Sequence, residues 1–173
     1  MITSLDHWML QKACEQLAFW HQQFPQWKHL RMCVNFSGKE LQESSLVETI
    51  KNVLAQTGVP ANCLTLEITE NVLIQNISQT IEMLHKLKSH GIQISIDDFG
   101  TGYSSLSYLH HLPANSLKID KSFISRMRKN GRDYKISQAI IALSNQLQMN
   151  AIAEGIETFQ QLQWLREMGC EQG

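Results

Sequence analysis

Acidic and amide side chains recur in this sequence at one kind of place, the carboxyl end of a short apolar run. Asn35 comes near the end of the run Leu30 to Phe36. Glu67 sits in the run Cys63 to Thr69, with Glu70 just after it. Asp97-Asp98 follows Ile92 to Ile96, Lys118 and Asp120 stand at the end of a run from Ser116, and Glu154 follows Ala151 to Ala153, with Glu157 three residues on. Carboxylates brought together repel and cannot all stay ionised without a cation. Oxygen donors of this type suit Mg²⁺ or Mn²⁺, and sometimes Ca²⁺. The adjacent pair Asp97-Asp98 can face one ion each. Two ions about 3.5–4 Å apart stabilise both the attacking and the leaving oxygen of a phosphodiester. A lysine among such groups orients or helps deprotonate the attacking water, or balances charge on the phosphate.

Taken singly, most of these residues have plainer uses. Asn35 suits a turn or a cap. Asp97-Asp98 could cap the turn that follows, Lys118 could be a solvated strand end, and Glu154 could form a structural ion pair. Glu67 is harder to dismiss, because an unpaired carboxylate inside an apolar strand costs roughly several kcal/mol. The set outweighs its members because all occupy corresponding places in successive β-α units.

The elements that must position these residues alternate. Leu5, Trp8, Met9, Ala13 and Leu17 follow helical spacing, with Ser4 as N-cap. Leu30 to Phe36 reads as a buried strand. A helix then carries Val47, Ile50, Val53 and Leu54, with Ser45 and Glu48 as a capping box and Gly58 as its stop. After the strand Cys63 to Thr69, the spacing of Ile77, Ile81, Leu84 and Leu87 predicts a helix closing at Gly91. Next come the strand Ile92 to Ile96, a glycine-containing loop, and a short helical stretch around Ser104 to His110. The strand Ser116 to Ile119, a long amphipathic helix over Tyr134 to Leu147, the strand Ala151 to Ala153 and a helix capped by Thr158 with Gln161 and stopped by Gly169 complete the order. Alternating strands and helices with short loops imply parallel strands and right-handed crossovers. An open doubly wound sheet fits the strand count as well. The charges at successive strand ends favour a TIM-like (β/α) barrel, whose active site lies at the carboxyl ends of its strands.

Composition narrows the class. The chain has 173 residues, 43% hydrophobic and 18% charged, with a net charge of −1. That is ordinary globular composition, and the lack of a basic stripe argues against duplex nucleic acid. Cys14, Cys33, Cys63 and Cys170 lie far apart with no CxxC pair, so they read as buried, reduced thiols of a cytoplasmic protein, and their spacing speaks against zinc. No apolar run approaches the roughly 20 residues needed to span a membrane. The Met and Trp residues read as core, and His110-His111 as a solvated turn.

The ordered strings Val34-Asn35-Phe36-Ser37, Leu66-Glu67-Ile68-Thr69-Glu70, Asp97-Asp98-Phe99-Gly100-Thr101-Gly102-Tyr103-Ser104-Ser105, Leu117-Lys118-Ile119-Asp120 and Ala153-Glu154-Gly155-Ile156-Glu157 resemble the EAL-domain cyclic di-GMP phosphodiesterases of bacteria. The resemblance covers nearly the whole chain. It implies metal-dependent hydrolysis of cyclic di-GMP to linear pGpG in second-messenger signalling, with one or two Mg²⁺ or Mn²⁺ ions. Asn35, Glu67 and Asp97 would ligate one ion and Asp98 would help hold a second. Lys118 would position the catalytic water, and Glu154 would act as general base or as a carboxylate of the metal shell. Glu70 would anchor the glycine loop, Glu157 would contact a guanine nucleotide, and Gln172 would lie near the metals. A homodimer formed near the glycine loop, and fusion to sensory or diguanylate cyclase modules, are also implied.

The family pattern starts with a strand bearing Glu-Ala-Leu and ends in a Phe-Ser-Lys-Pro-Leu-like segment. This sequence starts after the first and stops at Gly173 before the second. The expectation is one partial domain over residues 1–173, an incomplete barrel missing its first strand and last elements, with exposed sheet edges. Low turnover follows from that expectation. So does the alternative, an impaired cyclic di-GMP receptor or a dimerising interaction module. A third reading sets the resemblance aside: carboxylates and a lysine at strand ends also suit proton abstraction beside a metal-bound carboxylate, as in enolase-like enzymes.

Overall fold

The computed structural model describes residues 2–74, 77–102 and 109–173, with the side chains of those residues apart from 2–4 and 74. Strands and helices alternate: α1 (Ile2–Gln23), β1 (Met32–Phe36), α2 (Gly38–Leu41), α3 (Leu46–Thr57), β2 (Leu64–Thr69), α4 (Glu70–Ile74), α5 (Ile77–Ser89), β3 (Gln93–Phe99), β4 (Ser116–Ile119), α6 (Lys121–Ser125), α7 (Arg132–Gln146), β5 (Asn150–Ala153) and α8 (Phe159–Glu167). The strand order is β1-β2-β3-β4-β5, and the pairs β1–β2, β3–β4 and β4–β5 are parallel. This is the α/β alternation that a (β/α) barrel requires. The helical stretch expected around Ser104 lies largely outside the described residues.

The chain divides into two compact units. The first holds Met1–Ile68 and Gln75–Ile94. In it β1 and β2 run in register from Met32 beside Leu64 to Phe36 beside Ile68. Leu10, Cys14 and Leu17 form the buried stripe of α1, which packs on α3 and β1. The second unit holds Thr69–Ile74 and Ser95–Gly173. There α7 packs on β4, β5 and α6, burying Ile140 and Ile141 against strands that carry Leu117, Ile119, Ala151 and Ala153.

Five expectations are corrected. α1 begins at Ile2, so Ser4 lies inside its first turn instead of capping it. The cap of α3 at Ser45 makes no side-chain hydrogen bond, because its backbone is already helical (φ −85, ψ −6) after a turn from Glu43, whereas a capping side chain needs an extended backbone. A capping box does form at Ser37 with Glu40, opening α2, and the one expected at Thr158 with Gln161 is present. β1 is shorter than Leu30 to Phe36 and only its Phe36 is buried; β2 is its one neighbour in the strand order, and Cys33 is exposed, unlike Cys14, Cys63 and Cys170. Trp8, Met9, Trp20 and Trp27 are exposed, because they fall off the buried stripe of α1 or in the turn after it, whereas Met127 and Met149 are core.

Candidate metal centre

Two adjacent residues of a regular strand point to opposite faces. Asp97 and Asp98 escape that rule because β3 is irregular where they stand. Its pairing with β4 shifts between Ile96 and Phe99, and Asp98 has a φ of +53. A bulge of this sort re-aims a side chain, and left-handed backbone is tolerated best by Asp and Asn among residues other than glycine. The strand therefore extends through Asp97-Asp98-Phe99, past the end expected at Ile96, and presents both carboxylates on one side. Asp97 Oδ1 also accepts the Asp98 N–H at 3.0 Å, which fixes the bend.

β4 and β5 bring the other groups. They run in register from Ser116 beside Asn150 to Ile119 beside Ala153, and Glu154 N–H donates to the Ile119 carbonyl at 3.2 Å. Lys118 is buried, with its Nζ 2.6 Å from Glu154 Oε1 and 3.1 Å from Asp97 Oδ1. One ammonium thus ties carboxylates from β3 and from the end of β5. The turn after Glu154 passes Lys121 so closely that a Cβ on Gly155, whose φ is +71, would lie 2.8 Å from Lys121 Cβ.

Asp98 is the electrostatically loaded member. Burial, then the charges of Asp97, Asp120 and Glu154, hold its carboxyl above the ordinary range, and it shares a hydrogen bond with Asp120. Asp120 goes the other way. Burial would raise it, but hydrogen bonds from Ser122 and Asp98 hold it below the ordinary value. Asp120 also caps α6, accepting the Ser122 N–H at 3.0 Å. Sequence reasoning placed Asp120 at the strand end and gave it no role; its position two residues after Lys118 was the available signal.

Glu70 is fully buried and its Oε2 accepts the N–H of Gly100 at 2.9 Å and of Gly102 at 3.4 Å. A Cβ on Gly102 would meet Glu70 Oε1 at 2.8 Å, so the loop approaches the carboxylate only because that residue is glycine. The loop continues into Tyr103-Ser104-Ser105, outside the described residues. In the first unit Asn35 and Glu67 are register partners on β1 and β2, with Asn35 exposed and Glu67 buried. Glu157 is exposed, and its N–H donates to Gln161 Oε1 at 2.9 Å. The Gln172 carbonyl accepts the Ala153 N–H at 2.9 Å, which places Gln172 beside the end of β5.

Asp97, Asp98 and Glu154 each offer a carboxylate oxygen, all within 4.8 Å of one another. Oxygens on opposite sides of one Mg²⁺ lie about 4.2 Å apart, at about 2.1 Å each. Neighbouring oxygens around the same ion lie closer, about 3 Å apart, so the three side chains would draw together on binding, and an all-carboxylate set suits a hard divalent cation. The residues present therefore fit the metal.

A family profile described as EAL domain matches residues 1–173. This chain belongs to the EAL-domain family. It is 47% identical over 171 residues to the cyclic di-GMP phosphodiesterase NbdA of Pseudomonas aeruginosa, covering 99% of the chain and 22% of that protein. The bifunctional diguanylate cyclase/cyclic di-GMP phosphodiesterase MucR of the same organism is 37% identical over 171 residues, with 98% of the chain and 24% of that protein covered. Among solved structures, a MucR phosphodiesterase in complex with c-di-GMP superposes with a TM-score of 0.89 at 37% identity, covering 98% of this chain and 72% of that one. The EAL domain of Mycobacterium smegmatis DcpA gives 0.89 at 35%, covering 98% and 75%. The chain spans roughly a quarter or less of the length of both curated relatives. Among the described residues no helix is long and apolar enough to cross a membrane.

Proposed function

We propose that this EAL domain hydrolyses one phosphodiester of cyclic di-GMP to give linear pGpG, at the centre formed by Asp97, Asp98, Lys118 and Glu154. The observation that carries the proposal is the Lys118 ammonium joined to Glu154 and Asp97 beside a carboxylate group of metal-binding dimensions. Asp97, Asp98 and Glu154 would hold Mg²⁺ or Mn²⁺, and the resemblance adds Asn35 and Glu67 as ligands. When bound, the cation supplies Lewis acidity toward the phosphate and a lowered pKa for water.

The chain's own residues do the rest. Lys118 orients the attacking water and offsets charge on the phosphate. Glu154, as general base, takes the proton of that water as its oxygen bonds to phosphorus. The bond from phosphorus to one ribose oxygen breaks, that oxygen leaves as a hydroxyl with a proton from bulk water, Glu154 returns to bulk water the proton it took, and the opened product keeps the phosphate. Glu70 holds the glycine loop in place, Glu157 contacts a guanine, and Gln172 completes the rim beside β5. A homodimer in the cytoplasm is part of the same reading, as is coupling to other signalling modules.

The test is to incubate the purified chain with cyclic di-GMP and Mg²⁺ or Mn²⁺ and follow pGpG by chromatography. Metal-dependent pGpG formation that disappears in Lys118→Met supports the proposal. Tight binding of cyclic di-GMP without turnover would make the domain a receptor instead.

A further inference from the structure

Although no basic stripe runs along the chain as a whole, the segment from α6 into the first turn of α7 carries a local block of positive charge. From Lys121 to Lys135 there are six cations, Lys121, Arg126, Arg128, Lys129, Arg132 and Lys135, and one acid, Asp133. The other residues hold nine cations and fifteen acids, so this block opposes the sign of the rest of the chain. Arg126, Arg128 and Arg132 line one cavity of about 460 Å³, together with Ser125, Gly131 and Asp133. That volume lies within the range of small-molecule sites, about 300–1,000 Å³.

The loop presents these guanidiniums on a fixed frame. Ile124 and Met127 are buried, so Arg126 and Arg128 flank an anchored side chain. Gln161 Nε2 donates to the Ile124 carbonyl at 3.0 Å, and Gly131 N–H donates to the Arg128 carbonyl at 2.8 Å. Arg126 Nε donates to the Ser122 carbonyl at 2.9 Å, which sets the direction of its side chain. Among the described residues none of the three arginines forms an ion pair, although Asp133 lines the same cavity. A solvated arginine on an open face needs no partner. Three exposed arginines lining one cavity with a single carboxylate leave a local charge of roughly +2, which favours an anion of at least two charges.

Guanidinium forks bind phosphate oxygens in pairs and hold them better than a lysine point charge does. We propose that this cavity is a binding site for linked phosphates, such as the di- or triphosphate group of a free nucleotide. The site shares no residue with the Asp97–Asp98–Lys118–Glu154 centre, so it stands whether or not that centre cleaves cyclic di-GMP.

Isothermal titration of the chain with pyrophosphate, in 0.15 M salt with EDTA, tests it. EDTA removes divalent ions that could bridge pyrophosphate to the carboxylate centre. The expected result is saturable binding of one pyrophosphate, at least tenfold weaker in Arg128→Gln/Arg132→Gln and two- to fivefold tighter in Asp133→Asn. Orthophosphate should bind at least fivefold more weakly than pyrophosphate. Circular dichroism checks that the variants, changed at surface positions, keep the fold. No saturable heat, equal affinity for orthophosphate, a double variant binding within twofold of the unsubstituted chain, or unchanged or weaker binding in Asp133→Asn would each overturn the proposal.

Discussion

Asp97 and Asp98 are consecutive in a β-strand, yet both contribute an oxygen to one site, because the strand bulges and Asp98 takes a left-handed backbone. The charge and the backbone shape of Asp98 can be separated by substitution. Asn keeps the tolerance for positive φ and the size of the side chain. Asp98→Asn should therefore fold normally and bind Mn²⁺ at least tenfold more weakly, as measured by titration calorimetry. Affinity within twofold of the unsubstituted chain would remove Asp98 from the ligand set.

The pH dependence of stability follows from the same residue. With its carboxyl raised by burial and by neighbouring charges, Asp98 holds a proton in the folded chain at pH values where the unfolded chain has lost it. Folding stability from Asp98 thus falls as pH rises from the ordinary carboxyl value through the raised one. Asp120, held below its ordinary value, contributes in the opposite sense: its stabilisation is present above the ordinary value and lost as pH falls. The two groups share a hydrogen bond and titrate as a pair. In metal-free solution the unsubstituted chain should lose stability relative to Asp98→Asn as pH rises above the ordinary carboxyl value. Urea midpoints across that range report the difference, and a constant offset between the two proteins would contradict it.

Much of the arrangement was legible because two periodicities were strong. The helix stops at Gly58 and Gly169, the strand Ser116–Ile119 and the Thr158–Gln161 capping box are local patterns that tertiary context leaves alone. The grouping of Asp97, Asp98, Lys118 and Glu154 was legible because parallel strands put their ends on one face. The bulge was not, since a strand irregularity depends on the register of its neighbour and leaves no period of its own. The role of Ser45 was misread because an S-x-x-E pattern says nothing of the turn that precedes it. The aromatic residues of α1 were misread because hydrophobicity alone does not say which side of a helix is covered.

Glu70 is a buried acid whose Oε2 accepts from two loop N–H groups. Glu70→Ala removes the acceptor and leaves those donors facing a gap, at a cost of about 1–3 kcal/mol. Glu70→Gln keeps one carbonyl acceptor and should cost less. Urea unfolding of the two variants gives the order. If Ala and Gln are equally mild, these hydrogen bonds do not hold the loop.

Gln161 links two connections at once. Its Oε1 accepts from Glu157 N–H and Thr158 N–H, each at 2.9 Å, and its Nε2 donates to the Ile124 carbonyl at 3.0 Å. Thr158→Ala removes one helix cap and should cost about 1 kcal/mol. Gln161→Ala removes the reciprocal cap and the bond to Ile124 from a buried position, so it should cost more, about 2–3 kcal/mol. Equal unfolding midpoints for the two variants would show that the bond to Ile124 adds nothing.

Lys118 offers the sharpest separation of stability from chemistry. Its ammonium is buried between Glu154 and Asp97, so its removal changes both the electrostatics of the folded chain and the proposed reaction. Methionine keeps much of its length and apolar stem while deleting the charge. Without divalent ions, Lys118→Met leaves two carboxylates short of their shared cation and should be less stable than the unsubstituted chain. Saturating Mg²⁺ or Mn²⁺ restores positive charge at the same place and should narrow that gap. Turnover of cyclic di-GMP should not recover, because orienting water and balancing charge on the phosphate need the ammonium; a loss of about 10²–10⁴-fold is expected. Thermal midpoints with and without metal, beside pGpG formation, read the two effects independently. Recovery of turnover together with stability would show that Lys118 serves the fold alone.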